Sequence, residues 1–170
     1  MPKVAGIRPT MDKVRQAMFN ILGDVNDARV LELFAGSGAF GIEAISRGAG
    51  HVTFVDNNST CVKTIKANLT SLGIDNSKYD IIKTDALSIC GRLEKEGKKF
   101  DIVFMDPPYY KEMAKICLIS MDTCDILSRI ALVVVEHFKK DSLESALKSL
   151  AIEKTRLYAD SVITIFRKTA

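Results

Sequence analysis

Arg29-Val30-Leu31-Glu32-Leu33-Phe34-Ala35-Gly36-Ser37-Gly38-Ala39-Phe40-Gly41 is the stretch that decides the fold. Its first six residues form a short, mostly apolar run, which predicts a buried strand. The run passes through G-x-G-x-x-G (Gly36, Gly38, Gly41) into helical spacing over 39–47, ended by Gly48. Glycines at a strand-to-helix turn let the backbone bend tightly and approach a ligand closely. A strand, a glycine turn and a helix in that order open an α/β fold with a parallel sheet.

The alternation continues outward. Strands are predicted over 51–55, 79–83, 100–105 and 130–135, and helices over 59–72, 86–96 and 141–150, with helical material after 109 through about 127. Upstream, 11–22 reads as a helix, with Thr10 able to cap its start and Gly23 its end. The C-terminal end breaks the rhythm. Residues 153–158 and 162–167 read as strands joined by the short turn Ala159-Asp160-Ser161, so they must be antiparallel neighbours. The expected fold is α/β: a three-layer, Rossmann-like, mostly parallel seven-stranded sheet with a C-terminal antiparallel hairpin. It is expected to form one domain over 1–170, with an N-terminal segment and helix at 1–23 and the core at 24–170. A terminal hairpin is an unusual finish for a nicotinamide-binding domain and the usual one for an S-adenosylmethionine (SAM) methyltransferase domain.

Acids gather at one edge of this sheet. Asp56, twenty residues past Gly36, stands at the tip of the second strand, where it can accept from both ribose hydroxyls of a nucleoside cofactor. Glu32 lies inside the first strand, where a buried acid is costly unless paired. Its partner is either a cationic cofactor group or backbone amides that it organises. Asp85 follows the third strand and can accept from an adenine amino group, cap the next helix, or both. Asp106 follows the fourth strand. Four acids at one edge disfavour a phosphate-rich ligand and suit SAM, which carries a sulfonium and an ammonium.

The fourth strand runs into Asp106-Pro107-Pro108-Tyr109. Two prolines forbid both a continued ladder and an immediate helix. An acceptor, a stiff carbonyl-bearing turn and a flat aromatic then suit a planar group carrying an NH2. Glu136-His137 ends the fifth strand at the same edge, and His137 reads as structural.

Bulk properties narrow the class. The chain has 170 residues, 47% of them hydrophobic and 26% charged, with a net charge of +3. That is ordinary globular composition, and the mild positive charge permits a polyanionic partner without requiring one. No apolar stretch approaches the ~20 residues needed to cross a bilayer, and the N-terminus lacks the apolar core of a signal peptide. A cytoplasmic location is expected. Cys61, Cys90, Cys117 and Cys124 contain no C-x-x-C pair and, with only His51 and His137, no zinc spacing. Buried reduced thiols and no metal are expected.

Residues 30–38 with Gly41 and Glu43, then Phe54-Val55-Asp56, then Asp106-Pro107-Pro108-Tyr109, resemble the class I SAM-dependent amino-methyltransferases. The upstream segment from Arg8-Pro9-Thr10 to Asn20 narrows this: it resembles the RsmD-type bacterial enzymes that methylate a guanine N2 in 16S ribosomal RNA. The resemblance implies SAM as cofactor, with S-adenosylhomocysteine as product. It implies 16S rRNA, in the small ribosomal subunit or an assembly intermediate, as partner of a monomeric chain. Cofactor contacts are expected from Thr10, Glu32, Phe34, Gly36, Gly38, Asp56, Asn57, Asp85, Ala86 and Asp106. Catalysis is expected from Asp106, Pro107 and Tyr109, and substrate contacts from Arg8, Pro108, Tyr109 and Tyr110. Family members usually carry a short basic, glycine-rich hairpin before the Arg-Pro-Thr segment. Only seven residues precede Arg8 here; if that hairpin contributes to RNA grip, a weaker grip than the resemblance implies is expected. Methyl transfer to adenine N6 or to a protein glutamine, a nicotinamide-dependent oxidoreductase and a non-catalytic RNA-binding module are the competing readings.

Overall fold

A computed structural model describes residues 9–109, 112–143, 147–158 and 161–169, and for 9–11 only the backbone. Seven strands form one sheet: β1 (Arg29–Leu33), β2 (His51–Asp56), β3 (Tyr79–Lys83), β4 (Phe100–Met105), β5 (Leu127–Phe138), β6 (Leu150–Tyr158) and β7 (Ser161–Lys168). Their order across the sheet is β3-β2-β1-β4-β5-β7-β6. The pairs β3-β2, β2-β1, β1-β4 and β4-β5 are parallel, while β7 runs antiparallel to both β5 and β6. This is the mostly parallel, hairpin-terminated α/β sheet that the alternation predicts.

Among the described residues, five α-helices cover the two faces: α1 (Pro9–Leu22), α2 (Ala39–Ser46), α3 (Ser59–Ser71), α4 (Ile89–Lys95) and α5 (Met113–Thr123). Because strand side chains alternate, β1 sends Leu31 and Leu33 to one face and Val30 to the other. The first face packs on Ile89, Cys90 and Leu93 of α4 and on Cys117, Leu118 and Met121 of α5. The second packs on Met18 and Phe19 of α1, Phe40 and Ala44 of α2, and Ile65 and Leu69 of α3. The rings of Phe19, Phe40 and Phe104 stack in series, with centroids 4.7 and 4.2 Å apart, and tie α1 through α2 to β4.

Several elements differ from expectation. Helix α1 begins at Pro9, so Thr10 is its second residue rather than its cap. Proline suits a first helical position because the missing N–H has no partner there anyway. Gly23 does end the helix, at φ 75°, with its N–H on the Phe19 carbonyl. Helix α4 starts at Ile89, not 86, because residues 84–88 are used in a turn in which Asp85 accepts from the Leu87 N–H. Strand β5 extends to Phe138, so Glu136 and His137 lie within it rather than at its end. The helix expected over 141–150 is absent from the described part of that range: 141–143 and 147–149 are irregular and Leu150 already belongs to β6. Asp122 of α5 explains it, since its carboxylate accepts from the Ser149 N–H (2.8 Å), the Ser149 hydroxyl (2.7 Å) and the Lys148 N–H. Cys90 and Cys117 are buried free thiols as expected, whereas Cys61 and Cys124 are only partly buried.

Candidate active site

The parallel register aligns the carboxyl ends of five strands. Leu33 pairs with Val55 and with Met105, Asp56 with Lys83, and Met105 with Val135. The loops after β1 to β4, together with the Glu136 rung of β5, therefore share one edge. The strand order reverses beside β1, which is where an open α/β sheet leaves a ligand-binding crevice.

The glycine loop is built by backbone conformation. Phe34, Gly36 and Gly38 have φ of 55°, 57° and 76°, and a bulky residue such as Phe34 rarely adopts that region. The loop is braced from below. Asp56 Oδ2 accepts from the Gly36 N–H at 2.9 Å, and its Oδ1 accepts from the Asn58 N–H at 2.8 Å. Asn58 in turn caps α3 through the Thr60 N–H. Asn57 is exposed beside them.

Glu32 is 3% exposed and takes the second of its two expected partners. Its carboxylate accepts from the N–H groups of Phe40 (3.3 Å) and Gly41 (2.8 Å), the first turn of α2. Burial pushes this carboxyl up from 4.5 to about 8, against the pull of the two amides and of the Arg15 guanidinium, and Asp106 raises it further. The fit leaves no room at Gly41: a Cβ there would lie 2.4 Å from the Phe54 ring, 2.7 Å from Val52 and 2.8 Å from Glu32 Oε2.

Asp106 follows Met105 and is mostly buried. Burial, and secondly the charge of Glu136, push its carboxyl up from 3.8 to about 7. No donor among the described residues reaches that carboxylate. Pro107 is buried, Pro108 half-buried and Tyr109 51% exposed. The Tyr109 hydroxyl is held on the C-terminal strands: it donates to Glu136 Oε1 at 3.2 Å and lies 2.6 Å from Ser161 Oγ. Its ring tilts against Phe138, with centroids 6.1 Å apart.

The structure thus brings Glu32, Phe34, Gly36, Gly38, Asp56, Asn57, Asp85, Ala86, Asp106, Pro107, Pro108 and Tyr109 to one sheet edge. Asp85 is exposed and Ala86 buried. Thr10 lies in the first turn of α1, while Arg8 and Tyr110 lie outside the described residues. His137 is buried with both ring nitrogens engaged, one by the Phe138 carbonyl and one by the Thr164 hydroxyl, which fits its structural reading. Glu136 and Ser161 were not expected as site residues. The only local signal for Glu136 was its place at the carboxyl end of the fifth strand; Ser161 read as a turn.

Comparison with known proteins agrees with this architecture. A model of the family described as conserved hypothetical protein 95 matches residues 1–167. The YlbH protein of Bacillus subtilis (strain 168) is 34% identical over 162 residues, covering 95% of this chain and 88% of that protein. Ribosomal RNA small subunit methyltransferase D of Escherichia coli (strain K12) is 29% identical over 171 residues, covering 100% of this chain and 84% of that protein. The solved structure of yhhF from Escherichia coli superposes with a TM-score of 0.85 at 27% identity, covering 100% of this chain and 92% of that one. With a family model matched over residues 1–167 and relatives of this identity and coverage, the chain belongs to the conserved hypothetical protein 95 family, the RsmD-type methyltransferases.

Proposed function

We propose that this chain transfers a methyl group from SAM to the exocyclic N2 amine of a guanine in small-subunit (16S) ribosomal RNA. The observation that carries the reading is the Asp106 carboxylate: mostly buried, on a stiff Pro-Pro turn at the loop-bearing sheet edge, and without a donor among the described residues. A buried acceptor left open in this way suits an incoming NH2 group. The ribosomal substrate comes from the relative in Escherichia coli.

The edge fits the cofactor. Gly36 and Gly38 leave backbone open to close approach, and a Cβ at Gly38 would press on Phe54 and Ile65 at 3.2 and 3.3 Å. Each Asp56 oxygen accepts one backbone N–H, and the Cys61 thiol also bonds to this carboxylate, which leaves a lone pair for a ribose hydroxyl. Asp85 uses Oδ1 on Leu87 and keeps Oδ2 for an adenine amine. Glu32, committed to α2, acts by holding the loop rather than by touching the ligand. SAM supplies a methyl group already activated on a sulfonium and leaves as S-adenosylhomocysteine.

The exocyclic nitrogen is a poor nucleophile because its lone pair is delocalised into the ring. Asp106 and the Pro107 carbonyl accept its two hydrogens, aim its lone pair and stabilise the positive charge that develops. Tyr109 stacks on the base, worth roughly 1–3 kcal/mol, which requires an unpaired or flipped nucleotide. As the nitrogen bonds to the methyl carbon, the carbon–sulfur bond breaks and the nitrogen sheds a proton. Asp106, raised to about 7, can relay that proton to water.

The test is incubation with labelled SAM and small subunits lacking the methylation, followed by nucleoside analysis. N2-methylguanosine is expected; N6-methyladenosine, or no transfer, would overturn the reading.

A further inference from the structure

Glu136 has a place in the site that the methyl-transfer chemistry does not use. Met105 pairs with Val135 as the last rung between β4 and β5, and Asp106 and Glu136 are the residues that follow it on the two chains. Phe104 and Val134 both face the α1–α3 layer; the two-residue period puts Glu136 on that face, and Asp106 lies close enough to act on Glu32, which binds α2 on the same face. The Glu136 charge acts on Asp106. Among the described residues, only Glu136 Oε1 is occupied, by the Tyr109 hydroxyl at 3.2 Å.

We infer that Asp106 and Glu136 together form a two-acceptor reader of the base, with Asp106 on the exocyclic amine and Glu136 Oε2 on the ring N–H beside it. The inference rests on the methyl-transfer reading above. Guanine presents adjacent N1–H and N2–H2 donors on its Watson–Crick edge. Adenine and cytosine present an amine next to a ring acceptor, and uracil has no amine. A flipped base is read on that edge, and two neighbouring carboxylates repel until a ligand donates to both. A ring acceptor facing Glu136 would leave two lone pairs opposed in a partly buried site. Tyr109, hydrogen-bonded to Glu136, then links base stacking to base reading.

The experiment uses small subunits assembled from 16S RNA in which the guanine found to be methylated is replaced by 2-aminopurine. That base keeps the 2-amine but carries a ring acceptor at N1. For the wild-type chain, single-turnover rates should favour guanine by roughly ten-fold or more. Glu136→Gln can donate to the ring acceptor while still accepting from Tyr109, so the guanine preference should fall at least ten-fold. Ser161→Ala, which loosens Tyr109 without facing the base edge, should change both rates alike. Equal rates on the two bases for wild type would overturn the inference even if the variant fails to fold. So would Glu136→Gln slowing both bases equally, which is the result expected if Glu136 only holds Tyr109. Absence of N2-methylguanosine with wild type on unmodified subunits would instead overturn the parent reading.

Discussion

Asp106 combines burial, a neighbouring carboxylate and an open acceptor face, and each has a measurable consequence. Asp106→Ala should lower turnover by roughly 10²–10³-fold, the usual cost of losing one preorganised electrostatic group, while SAM affinity stays within a few-fold. Isothermal titration beside the methylation assay checks both. The ionised carboxylate is the stronger acceptor for the amine and carries the charge that stabilises the developing positive nitrogen. Because burial and Glu136 lift it to about 7, kcat/KM should rise with pH up to about that value and then level. Removing the neighbouring charge in Glu136→Gln should move this rise to lower pH, since a like charge disfavours ionisation. Tyr109 separates two roles. Tyr109→Phe keeps the ring but loses the hydroxyl contacts with Glu136 and Ser161, so RNA KM should rise modestly. Tyr109→Ala loses the ring as well, and KM should rise roughly ten-fold or more.

The glycine turn between β1 and α2 shows how much of an element depends on partners distant in sequence. The pattern at 29–41 was enough to read strand, turn and helix. It did not show that Glu32 would anchor the first turn of α2, because both a cofactor cation and backbone amides satisfy a buried acid. The space at Gly41 settles the geometry, since a methyl group there meets Phe54, Val52 and Glu32 together. Gly41→Ala should therefore destabilise by about 1–3 kcal/mol and weaken SAM binding in parallel, as read by chemical denaturation and titration. The helix expected over 141–150 failed for the complementary reason. Helical spacing is a local signal, and Asp122 of α5 captures the Lys148 and Ser149 amides, drawing the chain toward β6. No pattern within ten residues encodes that contact.

Across the whole molecule the acids on the α1–α3 face couple stability to pH. Glu32 moves from 4.5 to about 8 and Asp106 from 3.8 to about 7. The folded chain thus holds protons that the unfolded chain has already released, and the stability they supply is complete below about pH 4. It is lost as pH rises through 7 and 8. The ligand-free melting temperature should fall between pH 5 and 8, and Glu32→Gln should flatten that fall. At saturating concentration SAM should raise the melting temperature and NAD should not, because binding to the folded state alone stabilises it, by about 2.7 kcal/mol at one hundred times Kd. The order of strands and helices, the parallel sheet, the closing hairpin and the identity of the acids along one edge were all readable from residue periodicity, glycine turns and prolines, since these are local consequences of backbone geometry. The loss of the 141–150 helix, the commitment of Glu32 to α2, the tether from Tyr109 to Glu136 and Ser161, and the action of the Glu136 charge on Asp106 were not. Each joins residues from different elements, and such contacts exist only once the sheet sets its register and the two faces close around it.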